Sequence, residues 1–512
     1  MSKQYDIIVI GGGHNGLTAA VTLARKNKNV LLLEKRGVLG GLASGEEFYP
    51  GYRTTGVLHD TSGVRSAVIK TLKLENFGLK LGKSRPAISI LSKDGKCLQL
   101  HGDVEMASNK IAKFSQKDAL AYKEYRAFIN KISGFINGLM NEIPPDMVNL
   151  GGRQLWELAK KGIALKRMGK ATMMEFLKVA PMSVADFLNE KFEINFIKAG
   201  IAGPAIYGSY TGPWSSYTTL NLLLWECAAN VCVQGGPQTL ITTLQKAALD
   251  AGVVIKTDAR VDKILLDELG CVSGVNLYNG EEFQAPIVAS SITPRETFYE
   301  LLKPNQINYT IEQGIKNFRS RGTTAKVNLA VNKEISLNGN NEVEFARTGN
   351  SFDDMERAFD HVKYRLFSAE PVLDIHIPTL NDKSLAPKGH NVVSILVHFA
   401  PHYFDEGWSD LTKDKLLNNV IHTLEQYSPG ISSSIVGSEV LSPKDLEDKY
   451  NLTNGHIFHG EHAVDQLITR PIPSCARYST PVNGLYLCGS GSHPGGGITC
   501  MPGYLGATMI LK

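Results

Sequence analysis

The clearest alternation of apolar and polar positions opens the chain. Ile7 to Ile10 form a β-branched run with no polar residue, as in a parallel strand buried on both faces. Leu17, Ala20, Val21 and Ala24 then recur at helical spacing, and Val30 to Leu33 form a second unbroken run. Strand, helix and strand within thirty residues predict a βαβ unit. A related pattern starts at Gly235-Gly236. Leu240, Ile241, Leu244, Ala247 and Ala248 mark one helical face, residues 253–255 and 261–265 read as strands, and an Asn279-Gly280 turn precedes a strand ending at Ser290.

Two insertions separate and follow these units. Residues 115–142 predict a helix opened by a capping box of Ser115 and Asp118, with Leu120, Tyr125, Phe128, Ile132, Phe135 and Leu139 along one side. Residues 155–177 keep the helical period but carry Lys160, Lys161, Lys166, Arg167 and Lys170. Such a basic amphipathic helix either lies on a membrane surface or is a solvated face over a substrate domain. Residues 197–233 mix glycine, aromatic and aliphatic side chains, which suits a cavity wall or plain core packing. Val393, Ile395 and Val397 alternate within a predicted strand, whereas residues 338–341 and 381–383 read as loops.

Glycine supplies the first chemistry. Gly11, Gly13 and Gly16 follow the first strand in the spacing of a dinucleotide site: a tight turn, a bare backbone for a pyrophosphate, and close helix–strand packing. Glu34 ends the second strand, where a carboxylate binds a ribose 2′-hydroxyl and disfavours a 2′-phosphate. These residues alone leave NAD and FAD both open. Gly40-Gly41, Gly45 and Gly51 imply a further stretch of backbone kept bare, and glycine recurs from Gly489 to Gly506.

Composition narrows the class. With 43% hydrophobic and 20% charged residues the chain reads as an ordinary globular protein, and a net charge of +4 is too small to argue for nucleic acid. Seven cysteines without a CxxC pair fit reduced thiols in the cytoplasm, neither a disulfide framework nor a zinc site. No signal-peptide h-region or 18-residue apolar run is read, so no transmembrane helix is expected. His456, His459 and His462 have a metal-like spacing but lack a partner pattern beyond Glu461, so no metal is expected.

The segments EKRGVLGGLASG, NGHIFHGEHAVDQLITRPIPS and LYLCGSGSHPGGG, taken with the opening glycines, closely resemble the phytoene desaturase-related FAD oxidoreductases. That family, within the flavin amine oxidase superfamily, also holds carotenoid desaturases and retinol saturases; the phytoene dehydrogenase-like branch is the nearest in character. The match covers the first sixty residues, 235–294 and most of 385–507. The resemblance implies an α/β fold. A discontinuous Rossmann-like (GR2-type) FAD-binding domain (1–85, 226–300, 455–512) would carry an inserted α+β substrate domain (86–225, 301–454) with a helical insertion.

It also implies a site. FAD would meet Gly11, Gly13, His14, Asn15, Gly16, Glu34, Lys35, Arg36, Gly40, Gly41 and Leu42, with the backbone near Val261 at the adenine. Gly489, Ser490 and Gly497 would follow its diphosphate and ring, and Met501, Pro502 and Gly503 would open a helix at the flavin pyrimidine. His493, His459 and His59 are the candidate catalytic residues, with Gln466 on the substrate side. The expected reaction is desaturation, or saturation, of C–C bonds in an apolar isoprenoid or lipid substrate by hydride transfer at flavin N5. The alternatives are an amine oxidase and a flavin-binding protein with a redox-neutral or partner-binding role. The partner expected is a hydrophobic small molecule and no nucleic acid; peripheral membrane contact stays open, and the oligomeric state is not readable.

Overall fold

The computed structural model describes residues 4–149, 151–303 and 306–512. Strand β1 (Ile7–Ile10), helix α1 (His14–Ala24) and strand β2 (Val30–Leu33) form the opening βαβ unit, with every residue of both strands buried. Three further strands complete a five-stranded parallel sheet in the order Leu485–Leu487, Ile287–Ser290, β1, β2, Val254–Lys256. Its strands thus come from three distant parts of the chain. A three-stranded antiparallel sheet (Val261–Leu266, Val272–Leu277, Glu282–Gln284) packs beside it. The helix Met501–Ile510 lies against α1: Gly503 is packed so closely that an added Cβ would sit 2.1 Å from the Asn15 carbonyl oxygen.

The helical insertion differs from its sequence pattern in three ways. Helix α2 (Gln116–Met140) begins where Ser115 accepts the Asp118 amide, but the box is not reciprocal. The Asp118 carboxylate instead accepts the Glu193 and Ile194 amides, at 2.9 and 3.0 Å, and so holds the turn that leads into the distant helix Asn195–Ala202. The buried stripe runs through Ala119, Tyr122, Tyr125, Phe128, Ile129, Ile132 and Ile136, so the expected Tyr125, Phe128 and Ile132 are buried while Leu120 is 65% exposed. Burial of Tyr122, Ile129 and Ile136 as well rotates the buried face away from Leu120. The basic helix is two helices, α3 (Gly152–Arg167) and α4 (Lys170–Val179), broken at Gly169 with φ +89°. Helix α5 (Thr218–Ala228) crosses α2, and its Glu226 is buried between Arg85 and Arg126. Burial opposes ionisation there, yet the two guanidiniums outweigh it and lower the carboxyl pKa to about 2.

A seven-stranded sheet roofs the other side. Its central members are β3 (Thr324–Val331), β4 (Phe345–Arg347), β5 (Val372–His376) and β6 (Asn391–His398). The alternation at Val393, Ile395 and Val397 has a different meaning from solvent on one face, because β6 is buried on both. Those three residues pack into an aliphatic core with Val327 and Leu373, under the helix Asp410–Glu425. Their neighbours Ser394, Leu396 and His398 turn towards the dinucleotide-binding half, on the same face as Asp374 and Lys326.

Candidate functional site

Two cavities adjoin at Leu58 and Ile457, residues that line both. The first is built around the opening glycines. Gly11 holds φ +96°, and a Cβ on Gly16 would sit 1.9 Å from the Gly11 carbonyl oxygen, so this turn admits no larger side chain. No side chain caps the first turn of α1, which leaves its N–H groups to an anion. The Glu34 carboxylate accepts the Gly12 amide at 2.7 Å and the Arg36 amide at 2.9 Å, which fixes it at the end of β2. Asn15 donates to Ser490 at 3.1 Å and joins residues 475 positions apart.

This cavity brings together Gly11, Gly13, His14, Asn15, Gly16, Glu34, Lys35, Arg36, Gly40, Gly41, Leu42, Val261 and Ser490. Gly497 lies on the second cavity. Gly489, Met501, Pro502 and Gly503 are on neither wall; they pack behind the site, where Gly503 donates its amide to the Asn15 side chain at 3.4 Å. The cavity also recruits residues that carried no local signal, among them Arg260, Ser291, Glu296, Tyr450 and Asn451. Arg36 stacks over Tyr450 at 4.7 Å and pairs with Glu46, while Lys35 donates to Asn451. Two buried ring nitrogens, His14 Nε2 and His459 Nδ1, have no protein partner among the described residues. Bare backbone, an uncapped helix start and waiting polar atoms fit a bound dinucleotide.

The second cavity is mostly apolar. Leu58, Ile88, Pro204, Trp225, Phe345 and Leu396 supply much of its wall. At one end sits a polar cluster that sequence reasoning did not find. Asp374 on β5 accepts Arg347 Nε at 2.9 Å, lies 3.0 Å from His398 Nε2, and accepts the Tyr207 hydroxyl. Tyr207 stacks on His398 with ring centroids 5.2 Å apart. Burial opposes ionisation of Asp374, but Arg347, His398 and Tyr207 hold its carboxyl well below the usual range.

The three candidate histidines fall in three different places. His59 lines the second cavity, 5.1 Å from the His376 ring and 6.0 Å from Phe345, with Nδ1 unpartnered among the described residues. Burial pushes its pKa well below the usual value, so the ring is neutral. His459 lines the dinucleotide cavity and not the second one. His493 lines neither cavity: its ring nitrogens lie 3.1 Å from the Leu139 carbonyl and 3.5 Å from that of Leu467. It therefore ties the last turn of α2 to the glycine loop. Gln466 is likewise in the scaffold, accepting the Arg319 amide at 2.8 Å. His456 accepts the Phe458 amide and His462 that of Gly496; among the described residues no group of three His, Cys, Asp or Glu could hold a metal ion.

Lys326 on β3 shares a face with Leu396 of the cavity wall. It is fully buried, and its Nζ has no partner among the described residues. Burial lowers its pKa to about 7, with Glu439 and Asp374 opposing. The unfolded chain keeps the ordinary value of 10.5, so the stability deficit is complete below about pH 7 and vanishes above 10.5. Lys326→Met is expected to raise the unfolding free energy by about 1–3 kcal/mol at or below neutral pH. The gain should shrink as the pH rises, which thermal melts across that range would show.

Comparison with known proteins agrees with this geometry. The family described as flavin containing amine oxidoreductase matches residues 16–504. A rat protein named pyridine nucleotide-disulfide oxidoreductase domain-containing protein 2 is 31% identical, covering 100% of this chain and 94% of its own length. The lycopene-forming phytoene desaturase of Pantoea ananas is 24% identical over 98% of this chain and 96% of its own. An oxidoreductase from Methanosarcina mazei shares the fold, with a TM-score of 0.60 at 13% identity and 99% coverage of both chains. A flavin in a dinucleotide site is FAD. The chain belongs to the flavin-containing amine oxidoreductase family and is an FAD-dependent oxidoreductase related to the phytoene desaturases.

Proposed function

We propose that the protein dehydrogenates, or in reverse saturates, a carbon–carbon bond of a largely apolar substrate held in the second cavity. The observation that carries this reading is the apolar chamber meeting the dinucleotide cavity at Leu58 and Ile457. A lycopene-forming phytoene desaturase among the relatives supports the same reaction class. Bound FAD supplies an acceptor for the hydride that leaves the substrate carbon. The aliphatic and aromatic wall excludes water and orients the chain of the substrate. His59, which lines this cavity with Nδ1 unpartnered among the described residues, is our candidate to take the proton lost from the neighbouring carbon.

The family description also favours an amine substrate, which would share the hydride step. The apolar wall argues against it: Asp374 is already committed to Arg347, Tyr207 and His398, and the cavity's other carboxylate, Asp60, accepts the Ser62 amide. Anaerobic mixing with unsaturated or saturated terpenoids, and separately with primary amines, distinguishes the readings. Bleaching of the flavin absorption by a terpenoid supports dehydrogenation. Bleaching by amines alone overturns it, as would a flavin that no donor reduces. His59→Phe, which keeps a ring against Phe345, is expected to slow the bleaching about 100-fold with FAD content unchanged.

A further inference from the structure

Helix α3 presents a row of large apolar side chains outward. None of its sixteen residues is buried, and Leu155, Trp156 and Ile163 are 56%, 57% and 42% exposed. These three project from one side of the helix, together with the small Gly152 and Ala159. On the adjoining helix α4, Met174 and Leu177 are also 55% and 49% exposed. Leu165 packs inward against the core of the helical insertion, but a helix with no partner beyond its own protein would keep the opposite side polar.

Cations frame the stripe. Five of the sixteen residues are Lys or Arg and one is Glu. Lys160, Lys166 and Arg167 are exposed with the apolar side chains, and Lys160 lies over the Trp156 ring at 5.7 Å. Glu157, the lone acid, is occupied by Arg153 at 3.6 Å. Lys161 points the other way, pairing with Glu142 behind the helix. An apolar centre with Trp and Leu, flanked by Lys and Arg, matches the layered chemistry of an anionic bilayer surface, with acyl chains below phosphate headgroups. A second copy of the chain fits poorly, since pairing this face with itself would set cation against cation.

We propose that α3 and the start of α4 form an interfacial docking surface for anionic phospholipid membranes. The helix lies in the plane of the interface, with Leu155, Trp156 and Ile163 in the acyl boundary and the cations among the headgroups. No helix among the described residues is long and apolar enough to cross a membrane, so this contact is peripheral. The inference rests on surface residues away from both cavities and is independent of the reaction assigned above.

The test is co-sedimentation of the FAD-loaded protein with vesicles of phosphatidylcholine alone and of phosphatidylcholine mixed with phosphatidylglycerol. Binding should be at least about tenfold stronger to the anionic vesicles and should weaken with added salt. The triple variant Leu155→Ser, Trp156→Ser, Ile163→Ser should stop sedimenting while keeping its FAD. Lys160→Gln, Lys166→Gln and Arg167→Gln should each weaken binding about fivefold, and Lys83→Gln, away from the patch, should not. Equal binding to neutral and anionic vesicles, or unchanged binding of the triple variant, would overturn the proposal. So would no binding to either vesicle, or a dimer in solution that the triple variant dissociates.

Discussion

A Gly503→Val protein is expected to purify without the yellow colour of its parent. The added Cβ would meet Asn15 backbone atoms, the carbonyl oxygen at 2.1 Å and the carbonyl carbon at 2.8 Å. A backbone atom cannot swing aside, so either the helix Met501–Ile510 or the first turn of α1 must move. That turn carries the uncapped N–H groups, and Asn15 also bonds Ser490 and Gly503. Overpacking of this kind costs about 1–3 kcal/mol or more, which corresponds to a loss of FAD affinity of about 100-fold at the upper end. Titration of the apoprotein with FAD, followed by flavin fluorescence, measures it. Gly134→Ala in α2 is the control, because a Cβ there meets nothing within 4 Å. If Gly503→Val holds FAD as tightly as the parent, Gly503 does not couple the end of the described chain to the nucleotide site.

Asp374→Ala is expected to cost about 3–5 kcal/mol of stability and to abolish turnover. The substitution strands the Arg347 guanidinium in the cavity wall and frees Tyr207 and His398 from the group that orients them. The pH dependence has a definite sign. The folded pKa of Asp374 is depressed, so its stabilisation is complete above the ordinary aspartate value of about 3.9 and is lost as the pH falls through the folded value. The difference between parent and variant should therefore be largest near neutrality and narrow in strong acid. Removing both partners in Asp374→Leu, Arg347→Met should recover much of the stability but none of the turnover. Denaturant unfolding across pH, beside anaerobic flavin bleaching, separates the two effects. A double variant as active as the parent would remove the cluster from any role in the reaction.

What was readable in advance follows a physical line. The nucleotide turn was readable because its parts are close in sequence and its chemistry demands a residue type: only glycine fits at Gly11 and Gly16. Ser115 as a helix start was readable for the same reason, since capping joins residues three apart. In α2 the spacing places Tyr125, Phe128 and Ile132 on the buried side, where they are, but it also draws in Leu120, which is exposed. Only the packing of Tyr122, Tyr125 and Ile129 against neighbouring elements chose the face. The histidines misled in a similar way: spacing showed that they cluster in sequence, but not that His493 would turn to Leu139.

By itself, then, the sequence determined a dinucleotide site at the first β–α turn, its acid at Glu34, and the family whose motifs close the far end of the chain. Those features are local, and their backbone requirements leave a signature in residue choice. The tertiary structure alone decided that Tyr207, Arg347, Asp374 and His398 meet on one cavity, that His59 faces it, and that α3 presents large apolar side chains outward. These residues lie on separate elements with no fixed spacing. Burial, ion pairing and helix orientation are set by what packs against each element, and the whole fold must form before those neighbours exist.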